Sequence, residues 1–161
     1  MAACELKRRE PLDLDPDDFW VFGQRGIQSR IVRLLFAHGR LFRRGTPPPR
    51  RGGWNRAPRV CFRNAYRNAN SDRGRYLYCE GFCWSDEPGG SPSWPMPHAW
   101  FIDRQASDVA LDTTLSPERK LQYFGIPIPW RSVCAALLAE NVHGPVFDYW
   151  EKTYGQRKPK G

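Results

Sequence analysis

Nowhere in its 161 residues does the chain carry a run of 18 apolar residues, which excludes a helical membrane span. Its first 18 residues, MAACELKRREPLDLDPDD, lack the apolar stretch that a secretory signal needs. Histidine is scarce, so any role that needs an imidazole falls on His38, His98 or His143. Lysine is scarce too, and arginine supplies about four of every five basic residues. The five cysteines are an odd number, so they cannot all pair within the chain. Together these absences predict a cytoplasmic protein with free thiols in a reducing compartment.

What is present is enough for one packed domain. The chain is 40% hydrophobic and 14% aromatic, with seven Trp, and such side chains bury a sizeable core at this length. The net charge is +8. Much of it comes from residues 24–51, where Arg25, Arg30, Arg33, Arg40, Arg43, Arg44, Arg50 and Arg51 occur with no acidic residue. A segment of that kind is either the solvated face of a docked helix or a surface for nucleic acid or an acidic partner.

The chain divides by composition. Residues 1–18 read as an acidic flexible N-terminus. Residues 19–45 read as a basic amphipathic helical segment, because Ile27, Ile31, Leu34, Leu35 and Phe42 recur at helical spacing. TPPPRRGG, 46–53, reads as a linker, 54–150 as the main domain and 151–161 as a basic flexible tail. Within the main domain the pattern predicts a helix over 59–70 after Pro58 and a strand over 75–84. Two short strands, 97–102 and 109–114, flank a turn at 103–108, and a last helix covers 131–141. In the first strand Tyr76, Tyr78, Phe82 and Trp84 share one face, and Leu77, Cys79, Gly81 and Cys83 share the other. The expected fold class is α+β, a small antiparallel sheet packed on helices.

Three residues carry the chemistry. Cys61 falls at a helix start, where the dipole and free N–H groups stabilise negative charge on or beside a sulfur. If the hairpin turns about residue 105, His98 stands directly opposite Asp112, since both lie seven residues away. A carboxylate there fixes the imidazole tautomer and supports its positive charge. A rival reading makes Cys79, Cys83 and His98 zinc ligands. In a strand, however, two cysteines four residues apart are separated by ~13 Å, so neither a shared metal nor a disulfide is expected, and no cofactor is implied.

The stretches CFRNA, YLYCEGF, PHAWFID and ALDTT resemble the transglutaminase-like proteins of the papain-like group, in the style of small stand-alone bacterial or phage members. The matching positions are Cys61, Gly81-Phe82, His98-Ala99-Trp100 and Asp112-Thr113-Thr114, within roughly residues 54–130; YFGIPIP belongs to the same likeness. Thr113 stands where members commonly carry proline. The resemblance implies a papain-like core with the catalytic Cys at a helix N-terminus facing the sheet. It also implies a Cys61–His98–Asp112 triad acting through an acyl-enzyme. The enzyme would be a cysteine peptidase, amidase or transglutaminase acting on a protein, a peptide or a small amide. Asn55, six residues before Cys61, is the candidate to complete an oxyanion hole, with Glu80 and Trp100 as further supporting candidates. The alternative is a non-catalytic binding module of the same fold that uses residues 24–51 to hold nucleic acid or an acidic protein.

Overall fold

The computed structural model describes residues 35, 37–85, 87–140 and 146. The expectations for residues 1–18, for Ile27, Ile31 and Leu34, and for 151–161 lie outside the described residues.

Five strands dominate the described chain: β1 (Arg40–Gly45), β2 (Tyr76–Ser85), β3 (Met96–Asp103), β4 (Ala106–Leu111) and β5 (Leu121–Ile128). Two helices accompany them, α1 (Cys61–Asn70) between β1 and β2, and α2 (Trp130–Glu140) after β5. The strands close into a barrel in the order β1-β4-β3-β2-β5. This overturns the expected α+β architecture, a papain-like core with a small antiparallel sheet packed on helices. The sheet is mixed, because β1 runs parallel to β4 and antiparallel to β5. By inserting between them β1 removes both open edges, which an isolated sheet would leave exposed.

β1 is also where the helical reading of 19–45 fails. In RLFRRG, Phe42 is buried inside the barrel, Leu41 packs against the outer core, and Arg43 faces solvent beside Asp108. That is period-2 alternation. Phe42 therefore serves a strand and not the helical stripe assigned to it. β5 was not predicted at all, because Gly125 and Pro127 look like breakers. Pro127 is tolerated since β5 pairs with β1 only over Gln122–Gly125, so beyond Gly125 it has β2 as its partner. Gly125 and Gly81 face each other across β2 and β5. A Cβ on Gly125 would come within 2.2 Å of the Glu80 carbonyl oxygen, and one on Gly81 within 2.1 Å of that of Phe124. Only glycine permits so close an approach of two backbones.

The barrel interior is packed by one set of strand residues, among them Phe42, Cys79, Cys83, Trp100, Ile102 and Tyr123. Trp100 meets Phe42 and Tyr123 edge to face, with ring centroids 5.4 and 5.2 Å apart. The alternate residues, including Tyr78, Phe82, Phe101 and Phe124, form an outer core with Ala65 and Ala69 of α1 and Val133 and Ala136 of α2. The two faces expected for β2 are thus those observed. No described helix is long and apolar enough to cross a membrane.

Candidate active site

The first residue of α1 is Cys61, and the chain reaches it through Arg59, whose φ of 62° turns the backbone into the helix. Left-handed backbone at a non-glycine residue costs about 1–3 kcal/mol, and surrounding contacts must hold it. The fully buried residues of α1 are Asn64, Ala65, Asn68 and Ala69, while Phe62 and Tyr66 pack half-buried against the outer core. Asn64 donates to the Ala57 carbonyl at 2.7 Å and to the Thr114 hydroxyl at 2.9 Å. Asn68 donates to the Thr113 hydroxyl at 2.9 Å, and that hydroxyl donates to the Asn55 carbonyl at 2.7 Å. Two asparagines one turn apart thus tie the helix that Cys61 begins to the residues that follow Asp112. Thr113, where a proline was the family pattern, contributes a hydroxyl that proline lacks.

His98 and Asp112 come together. The imidazole Nε2 lies 2.9 Å from Asp112 Oδ2, and both side chains are almost wholly buried, at 2% and 1% exposure. The register differs from the one predicted. β3 and β4 pair Asp103 with Ala106 and Phe101 with Leu111, with a bulge between. Continuing that register sets Asp112 opposite Trp100, so His98 is its diagonal neighbour on the same face, a separation that long side chains span. His98 itself pairs with Gly81, which has no side chain to crowd the imidazole.

The carboxylate is held on every side. Tyr123 donates its hydroxyl to Oδ2 at 2.9 Å, and the Thr114 N–H donates to Oδ1 at 2.8 Å. Burial alone would raise the Asp112 pKa, but His98, the Thr114 N–H and Tyr123 outweigh it and the net shift is downward. Burial likewise works against a charged His98. The bond to Asp112 and, after it, the Cys61 sulfur push it up to about 9. No side chain caps α1 at Val60, so its first-turn N–H groups are not taken by a capping oxygen.

The supporting candidates fare differently. Asn55 is bonded to Asn68, its amide group donating to Asn68 Oδ1 at 3.1 Å, and Asn68 lies two turns, ~10 Å, along α1 from Cys61. The structure thus places Asn55 as a brace of α1, away from the sulfur. Trp100 walls the barrel beneath Tyr123. Glu80 is buried on the outer face, accepting from the Tyr78 hydroxyl and, at 2.7 Å, from the Val146 N–H. Tyr78 in turn feels Cys61: burial first, then Glu80 and the sulfur, push its phenol well above the ordinary range. Tyr123 was missed by sequence reasoning, since it lies on the strand that Gly125 and Pro127 hid. Cys79 and Cys83 are both inside the barrel, their thiols pushed up chiefly by burial. Among the described residues no three His, Cys, Asp or Glu side chains converge as a metal site requires. His38 is exposed and far in sequence from the triad, and His143 lies outside the described residues. Compared with protein-family models, with curated proteins and with solved structures, the chain matches none.

Proposed function

We propose that the chain is a thiol-dependent acyl-transfer enzyme with Cys61 as nucleophile, His98 as base and acid, and Asp112 as the residue that orients His98. The observation that carries this reading is the buried His98–Asp112 pair, 2.9 Å apart, with Cys61, the first residue of α1, among the groups that raise the imidazole pKa. The order Cys, His-Ala-Trp, Asp along the chain resembles the transglutaminase-like proteins and supports the same chemistry.

In the first half-reaction the Cys61 sulfur attacks the carbonyl carbon of an amide or ester. A carbon–sulfur bond forms, the carbon–nitrogen or carbon–oxygen bond breaks, and the His98 imidazolium gives its proton to the leaving group. The first-turn N–H groups of α1 face the developing oxyanion. In the second half-reaction water or an amine attacks the thioester carbonyl, His98 takes the attacker's proton, the carbon–sulfur bond breaks, and the thiolate–imidazolium pair is regenerated. Water makes the enzyme a peptidase or amidase, and an amine makes it a transglutaminase. The substrate is a protein, a peptide or a small amide. The free thiols of Cys61, Cys79, Cys83 and Cys134 suit the reducing cytoplasm.

The test is acyl trapping. The intact protein is incubated with a panel of activated esters and peptide amides, and its mass is followed with and without an added primary amine. A thioester adduct that maps to Cys61, turns over and vanishes in Cys61→Ala is the expected result. Adducts spread over Cys61 and Cys134 at the rate of a free thiol would contradict it.

A further inference from the structure

At the end of the barrel where β1 runs out, a cavity of about 800 Å³ opens between β1, the start of β5 and the loop that joins β4 to β5. Asp112 and Thr113 line it, whereas Cys61 and His98 do not.

Its charge is unbalanced. Arg43, Arg44, Arg56, Arg119 and Lys120 contribute to the lining, against Asp112 and Glu118. Asp112 turns its charge to His98 and Tyr123. Two of the cations are paired, Arg43 with Asp108 at 3.2 Å and Lys120 with Glu87 at 2.9 Å. The other bonds are of a different kind. Arg44 donates to the backbone carbonyls of Leu115 at 2.7 Å and Arg119 at 2.9 Å, and Arg119 donates to that of Ser91 at 3.3 Å. A neutral carbonyl fixes a guanidinium in place without cancelling its charge. The field of both arginines reaches inward, since each opposes the upward push of burial on the Cys83 thiol.

Oriented guanidinium groups match the planar oxygens of carboxylates and phosphates. The volume is that of a small-molecule site, ~300–1,000 Å³. An extended polyanion such as nucleic acid is instead held along a groove of cations, and here the cations converge on one concavity. We propose that this cavity binds a small oxyanion ligand bearing two or more negative charges on phosphate or carboxylate groups, with Arg44, Arg56 and Arg119 as its cationic contacts.

The test is calorimetric titration of the full chain at low salt with pyrophosphate and, separately, with citrate. Variants Arg56→Gln and Arg119→Gln are compared with wild type, and Arg67→Gln, on the exposed side of α1, serves as the control. Arg44 is left intact because it holds the loop. Saturable binding of one equivalent is expected, weakened about tenfold by each of the first two substitutions and unchanged by the control. Tighter binding of pyrophosphate assigns a phosphate ligand, and tighter binding of citrate a carboxylate. A melting temperature equal to wild type without ligand checks that the variants are folded. The proposal is overturned by no saturation with either anion up to about 10 mM. It is also overturned by equal affinity in folded Arg56→Gln, Arg119→Gln and wild type, or by a single-stranded oligonucleotide that binds more tightly than both anions.

Discussion

Two buried carboxylates, Asp112 and Glu80, lie on opposite sides of β3 and are built alike. Each accepts a tyrosine hydroxyl, from Tyr123 or Tyr78, and each accepts a backbone N–H, from Thr114 or Val146. A buried carboxylate without such donors would be too costly to keep. The difference is what each is joined to. Asp112 points into the barrel end and meets an imidazole. Glu80 points outward, and by binding the Val146 N–H it fastens chain beyond α2 to β2. Burial and a tyrosine partner are therefore common to the carboxylate proposed to serve the chemistry and to a structural one. The histidine distinguishes them.

Substitution breaks the comparison most sharply. Asp112→Asn keeps the shape but loses the charge that supports the imidazolium. Acylation of Cys61 is expected to slow by about 10³–10⁴-fold, read as the rate of adduct formation by mass. Glu80→Gln should leave that rate within about threefold while lowering the melting temperature, at a cost of about 1–3 kcal/mol. Equal loss of acylation in both would erase the distinction.

A smaller effect follows from the tyrosines. Tyr123→Phe removes one donor from the Asp112 carboxylate, a bond to a charged group worth about 1.5–3 kcal/mol. Acylation should slow about tenfold and the His98 titration should shift. Tyr78→Phe should destabilise to a similar degree and leave the His98 titration where it is. Imidazole NMR signals followed across pH check both.

The smallest effect is on stability against pH. The folded pKa of His98 is raised to about 9, against ~6.5 unfolded. Its contribution is therefore complete below ~6.5 and is lost as pH rises through about 9. Asp112 is shifted downward, so its contribution is present above the unfolded value of ~3.9 and is lost as pH falls through the folded one. Wild type should lose more melting temperature between pH 7 and 10 than His98→Ala does. Parallel curves for the two proteins would remove the charged imidazole from the account.

The three residues proposed to react were singled out in the sequence because they come with local signals. Cys61 follows Pro58 at a helix start, and His98 and Asp112 sit on the two arms of one hairpin. Even so, a β-bulge replaced their direct opposition by a diagonal contact. The barrel was not legible. Alternation in β2 reveals two buried faces, but nothing local says that β1 will slot between β4 and β5 to close the edges. β1 was hidden because Phe42 continues the helical spacing of Ile27, Ile31, Leu34 and Leu35. β5 was hidden by Gly125 and Pro127, both tolerated for reasons that depend on neighbouring strands. Tyr123 went with it. Asn64 and Asn68 carry no local signal, because their role depends on Thr113 and Thr114, distant in sequence.

Cys61 and Cys134 offer the most direct test, because both are half-buried free thiols at helix positions and only Cys61 lies beside His98. The folded protein is alkylated with limiting iodoacetamide from pH 5 to 9, and the label is mapped by peptide mass in wild type and His98→Ala. The account predicts that Cys61 is labelled ahead of Cys134 and Cys4 at every pH in wild type, and that the preference collapses in His98→Ala. Labelling of Cys134 or Cys4 first, with Cys61 inert, would contradict it.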